Sequence, residues 1–233
     1  MVSYALLLKH LVGINMIKII EALFLTEKGC CIKNRTDNPI HIKQGDIDGA
    51  CSVYSLMMYL MILKVIKRNQ LDDLYDTLKK TPEVENLFCN FFDKYGLVRN
   101  GFYFSQLEKM LNRKTIESIS AESFDDESKE YLKDGFIEQI QNTIDLDSPI
   151  MLGIDYKGGG AHAVLAIGYE KNEDGIFNIF CLDPGYDCNP TSYWNMVIAL
   201  NSFRGVYKHQ CLTSNPYNCP AIKITETLLI TRK

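Results

Sequence analysis

The chain has 233 residues, 46% of them hydrophobic, which is enough for one substantial core and for a single domain built from two lobes. A formal net charge of −4 and a pI near 5.6, with no Lys or Arg run interleaved with aromatics, exclude an electrostatic case for nucleic acid as a partner. Eight cysteines are too few for a disulfide scaffold of this length, and several fall in helical or strand patterns. They read as free thiols of a protein made in a reducing, cytoplasmic compartment. Cys181, Cys188, Cys211 and Cys219 with His209 lack the close C-x₂₋₄-C pairing of zinc sites, so neither a metal nor any other cofactor is expected.

The stretch from Tyr4 to Leu25 is apolar, but Lys9, His10, Asn15, Lys18 and Glu21 interrupt it and Gly13 divides it. That disfavours a transmembrane span. No basic n-region or small-residue cleavage site marks a signal peptide. Leu7, Leu8, Leu11 and Ile14, then Ile17, Ile20 and Phe24, recur at helical spacing and predict an N-terminal helical extension over residues 1–40. Its alternative use is contact with a membrane surface. Lys28 to His41 is polar and turn-rich.

From Ser52 to Ile66 nothing breaks a helix, and apolar side chains cover almost every face, which predicts a helix enclosed by protein. Further helices are expected over residues 72–80, Glu83–Tyr95, from an N-cap at Ser105 through Leu107, Met110 and Leu111, and from about Glu127 to Asn142. Residues 41–145 thus read as a helical lobe. Beyond them the period changes to two. Strands are expected over Pro149–Tyr156, His162–Glu170, Ile176–Leu182, Tyr193–Leu200 and Ile222–Ile230, with the turn Asn172-Glu173-Asp174-Gly175 inside. Helices followed by strands predict an α+β fold whose residues 146–233 form an antiparallel sheet lobe.

Three places carry chemistry. Gln44-Gly45-Asp46-Ile47-Asp48-Gly49-Ala50-Cys51 sets a thiol at the start of the enclosed helix, where unpaired N–H groups and the helix dipole favour a thiolate. Asp48 is placed to cap that helix, and the Gln44 side chain can donate to an oxyanion beside the backbone N–H of Cys51. His162 enters an apolar strand behind Gly158-Gly159-Gly160. Asp183 ends the next strand before Pro184-Gly185, where an adjacent antiparallel strand would set it beside the histidine. Taken singly, each has an ordinary reading: a small core cysteine, a structural histidine, a turn aspartate. His41 lies before the turn and is not expected to be the base, the adjacent pair Cys30-Cys31 is read as incidental, and Trp194 reads as a packed sheet aromatic that can shield the His–Asp pair.

With Gln44, Cys51 before a helix, the His162 strand and Leu182-Asp183-Pro184 in that order, the chain resembles the papain-like cysteine peptidase superfamily, most closely its bacteriocin-processing, double-glycine-leader peptidases. The resemblance implies a thiol protease with Cys51 as nucleophile, His162 as general base and acid, Asp183 as its orienting partner and Gln44 as an oxyanion-hole donor. Gln44 stands seven positions before Cys51 rather than the usual six, and Ser52 follows the cysteine where relatives have Gly or Trp. No membrane-transport region is seen, so specificity for a double-glycine leader is not carried over. The expected partner is a protein or peptide substrate, cut through a thioester acyl-enzyme. The same residues suit an effector or toxin, delivered to another cell, that deamidates or transfers an acyl group to a protein side chain. An inactive binding protein on the same fold is the third reading.

Overall fold

A computed structural model describes residues 15–34, 38–45, 49–71, 81–91, 101–126, 135–215 and 217–233. Among these, ten strands and four α-helices follow one another as β1 (Met16–Ile19), β2 (Leu23–Thr26), β3 (Gly29–Ile32), α1 (Cys51–Ile62), α2 (Pro82–Cys89), α3 (Phe104–Met110), β4 (Ile119–Phe124), α4 (Gly135–Asp145), β5 (Ile150–Tyr156), β6 (Ala161–Asn172), β7 (Gly175–Leu182), β8 (Met196–Ala199), β9 (His209–Thr213) and β10 (Ala221–Arg232). The result is a mixed fold of helices and antiparallel sheet, as the change of period implied.

Six strands close on themselves. The order β6-β5-β10-β9-β8-β7 returns to β6 through a β6–β7 pairing, and every one of these pairings is antiparallel. Closure leaves no free edge along the ring. β1 adds to β6, and β4 adds to β10. Val164, Leu165, Ile167, Ile179, Leu182, Ile198 and Ile222 are fully or almost fully buried, so the strands supply much of the core directly.

α1 lies on this sheet and is buried on all sides, with Leu56, Met58, Tyr59 and Leu60 at 0% exposure. It stops at Ile62 because Lys64 adopts a left-handed conformation, φ 59°. Two polar contacts pin it. Ser55 Oγ donates to the Ala163 carbonyl at 3.0 Å, and the Tyr59 hydroxyl donates to Ile230 O at 3.2 Å while accepting from Ile230 N at 2.9 Å. A helix so enclosed has to satisfy its polar atoms against the sheet.

The N-terminal expectation fails over residues 16–32, which are three strands and not amphipathic helices. Ile17, Ile20 and Phe24 do recur at helical spacing, but β-branched Ile17, Ile19 and Ile20 suit extended backbone; β1 pairs with Gly168–Lys171 of β6, past the stretch that β5 covers, and β2 pairs with β3. Gly168 of β6 makes this approach feasible: a Cβ there would run into the Lys18 carbonyl and Ile19. Residues 1–14, the rest of that expectation, lie outside the described residues. So do 72–80, the last residues of the Glu83–Tyr95 helix, and 127–134. The 41–145 lobe is not wholly helical, because β4 pairs with β10 inside it. α3 begins at Phe104 with Tyr103 as its N-cap, ahead of Ser105. β9 was not expected from the sequence.

Candidate functional site

Cys51 is the first residue of α1, half-buried, directly after an N-cap Ala50 that contributes no side-chain hydrogen bond. Asp48, expected to cap this helix, lies outside the described residues. His162 sits near the start of β6 opposite Ile154 of β5, and Asp183 follows β7 immediately. The β6–β7 register sets Leu165 against Leu182, which brings Asp183 alongside the residues just after His162. Ser55, one turn into α1, holds Ala163, the neighbour of His162. Helix start and strand start are thereby locked together.

The three side chains meet. The Cys51 thiol lies next to the His162 ring, each shifting the ionisation of the other. His162 Nε2 donates to Asp183 Oδ1 at 2.6 Å, and the side chains of these two residues are 12% and 0% exposed. With Nε2 committed to the carboxylate, Nδ1 is the ring atom left for sulfur.

Burial alone would raise the Cys51 thiol. The hydrogen bond and charge of His162, joined by N–H groups of Ala163 and Ser52 on the sulfur, more than offset it and hold the thiol below its ordinary value. Burial also works against the imidazolium, yet Asp183 and Cys51 together lift His162 to about 10. Both shifts act in the direction of a thiolate–imidazolium pair.

Asp183 is itself held by residues that the sequence did not single out for this role. Its N–H donates to Asn195 Oδ1 at 2.7 Å and its carboxylate Oδ1 accepts from Gly185 N at 2.7 Å. Asn195 Nδ2 donates to the carbonyls of Asp183 and Tyr186 at 2.7 and 2.9 Å. His41 Nε2 donates to the same Asp183 carbonyl at 2.8 Å, and burial lowers its pKa. His41 thus braces the aspartate's backbone as a neutral ring. Trp194 stacks on Phe180, with ring centroids 4.0 Å apart, as a packed sheet aromatic. The Tyr156 ring lies 6.4 Å from that of His162 at an interplanar angle of 26°.

Gln44 is tied by its backbone N–H to Pro184 O at 2.9 Å, so the segment before Cys51 is fastened to the residue after Asp183. Its side chain lines a cleft of about 950 Å³ together with Cys51 and His162. The Gln44 Oε1 is buried without a hydrogen-bond partner among the described residues, a polar atom unsatisfied in the wall of the cleft. Among the described residues no cluster of His, Cys, Asp or Glu is placed to hold a metal ion. What the arrangement can do is nucleophilic attack by sulfur on a carbonyl.

A family model for the Peptidase_C39 like family matches residues 34–211, more than half of the chain. The chain belongs to the Peptidase_C39 like family. Membership of this family points to a cysteine peptidase of the papain-like superfamily. The matched segment contains Gln44, Cys51, His162, Asp183 and Asn195, and it ends before β10. No curated protein matches the chain. Among the described residues no helix is long and apolar enough to cross a membrane.

Proposed function

We propose that this member of the Peptidase_C39 like family hydrolyses amide bonds through a Cys51–His162–Asp183 triad. The observation that carries the reading is the 2.6 Å contact of the His162 ring with buried Asp183 in the wall of an open cleft that Cys51 also lines. Thiolate sulfur attacks the carbonyl carbon of a bound peptide, and the carbonyl oxygen takes the negative charge. The backbone N–H of Cys51, in the first turn of α1, and the Gln44 side-chain amide are the donors for that oxyanion. As the C–N bond breaks, His162 gives its proton to the departing amine and a thioester remains on Cys51. His162, now neutral, takes a proton from water, whose oxygen attacks the thioester. The acid leaves, and thiolate and imidazolium are restored. Asp183 keeps its charge throughout, holding the ring in one orientation and favouring its protonated form.

The test is the rate at which iodoacetamide alkylates Cys51 as a function of pH, in the native protein and in His162→Ala. Rapid alkylation well below neutral pH, abolished in the variant, is the expected result. A native profile that follows an ordinary thiol near pH 8.5 and ignores the histidine change would falsify the assignment.

A further inference from the structure

Next to His162 a row of residues crosses three strands: Ala163 of β6 faces Gly153 of β5, and Gly153 faces Glu226 of β10. All three line the same cleft as Cys51. Small Ala163 and Gly153 leave a trough in the cleft wall, and the Glu226 side chain fills its Gly153 end, where an added Cβ would collide with it. The backbones of β6 and β10 are two strand spacings apart, about 10 Å. With Glu226 folded back over Gly153, the carboxylate comes within reach of a long side chain entering beside His162.

A bulge puts Glu226 there. β10 pairs Ile224 with Ile154 and then skips Thr225, so that Glu226 and not Thr225 opposes Gly153. Without the extra residue, strict alternation would turn Glu226 to the same face as buried Ile222 and Ile224. The bulge re-aims one carboxylate into the cleft. Glu226 Oε2 accepts from Phe104 N at 3.1 Å, which fixes it in place. Burial, with Asp125 and Asp155 nearby, raises its pKa against the lowering effect of Phe104 N–H, so an incoming cation would relieve it. The charge of the cleft agrees: four carboxylates, Asp125, Asp126, Asp155 and Glu226, stand against one ammonium, Lys223, which lies 3.4 Å from Asp155 and 3.6 Å from Asp126.

Resting on the reading of the site as an amide hydrolase, we propose that the Ala163–Gly153–Glu226 trough is a side-chain pocket selecting a lysine or arginine close to the scissile bond of a peptide substrate, its cation lying against Glu226. The aliphatic stem packs on Ala163, and the charged end meets the carboxylate where it lies over Gly153, in a partly dry site.

The test separates binding from chemistry. In Cys51→Ala protein, fluorescence anisotropy is used to measure the binding of labelled tetrapeptide amides that are identical except for Arg, Leu or Glu, the varied residue being moved through each position in turn. In one positional series Arg should bind at least about tenfold more tightly than Leu, the size expected of a hydrogen bond to a charged group, with Glu weakest. Glu226→Gln, whose amide oxygen can still accept from Phe104 N, should bring the Arg-to-Leu ratio close to one. Lys223→Gln, which removes the competing ammonium, should raise it. Equal binding of Arg and Leu in every series, an Arg preference that survives Glu226→Gln, or no binding of any peptide overturns the pocket. None of these bears on the iodoacetamide profile of the native protein, which judges the triad by itself.

Discussion

Replacing Asp183 by Asn tests the electrostatics of the site most directly. Asp183 is fully buried and His162 nearly so, and they touch at 2.6 Å, so the carboxylate charge acts on the ring with little screening by water. An opposite charge at such range moves a pKa by about 1–3 units, and each unit is about 1.4 kcal/mol. In Asp183→Asn the side-chain oxygen can still accept from Gly185 N–H, and Asn195 still holds the backbone, so the fold should survive. The imidazolium does not keep its counter-charge. Burial, which already works against the charged ring, then prevails, and His162 drops from about 10 toward or below its ordinary 6.5. Cys51 loses the charge that favours its thiolate. At about pH 6 the iodoacetamide rate should fall roughly ten- to a thousand-fold relative to native protein, while the two converge once the thiol ionises unaided near pH 8.5. Rates are read by intact-mass spectrometry across the pH range, with circular dichroism as the check on folding. Superimposable native and variant profiles would show that Asp183 does not set the charge state of the pair.

Three further outcomes are expected. The His162 ring protons, followed by NMR, should titrate at about 10, the imidazolium persisting below that pH and being lost above it, and the midpoint should move down in Cys51→Ala because the thiolate helps raise it. Asn195→Ala removes the acceptor for Asp183 N–H and the donor to the Asp183 and Tyr186 carbonyls, and should cost about 1–3 kcal/mol in urea denaturation. An unchanged midpoint would mean that the brace is dispensable. Tyr59→Phe leaves both backbone groups of Ile230 without their buried partner and should cost about 1–3 kcal/mol by the same assay, with the alkylation profile of Cys51 unaltered.

The second half of the fold was legible because it obeys local rules. β5, β6 and β7 are apolar runs bounded by Pro149, the Gly158–Gly160 turn and the Asn172–Gly175 turn, and each lies close to where those signals set it. The enclosed helix was legible for the same reason. β1 to β3 were not, because Ile17, Ile20 and Phe24 also fit a helix, and what decides is pairing, β1 with the end of β6 from Gly168 on and β2 with β3, a fact of tertiary structure. The site divides in the same way. Cys51, His162 and Asp183, which the fold brings within hydrogen-bonding reach, each stood next to a sequence signal: a helix start, a glycine run, a Pro-Gly turn. Asn195 and Glu226 had none. Asn195 matters through the turn that returns to Asp183, and Glu226 through a bulge that reverses the face its alternation with Ile222 and Ile224 would give it.

The two pins that fasten α1 bear on how a substrate can enter. Ser55 ties the helix to the strand carrying His162, and Tyr59 ties it to the strand carrying Glu226. Cys51, His162 and one wall of the cleft are therefore parts of a single stiff frame, and the closed ring behind them gives no strand room to swing. Such a jaw has no hinge at its root. On the proposed reading it would take a chain that arrives already extended, sparing folded proteins until a loop or tail comes loose.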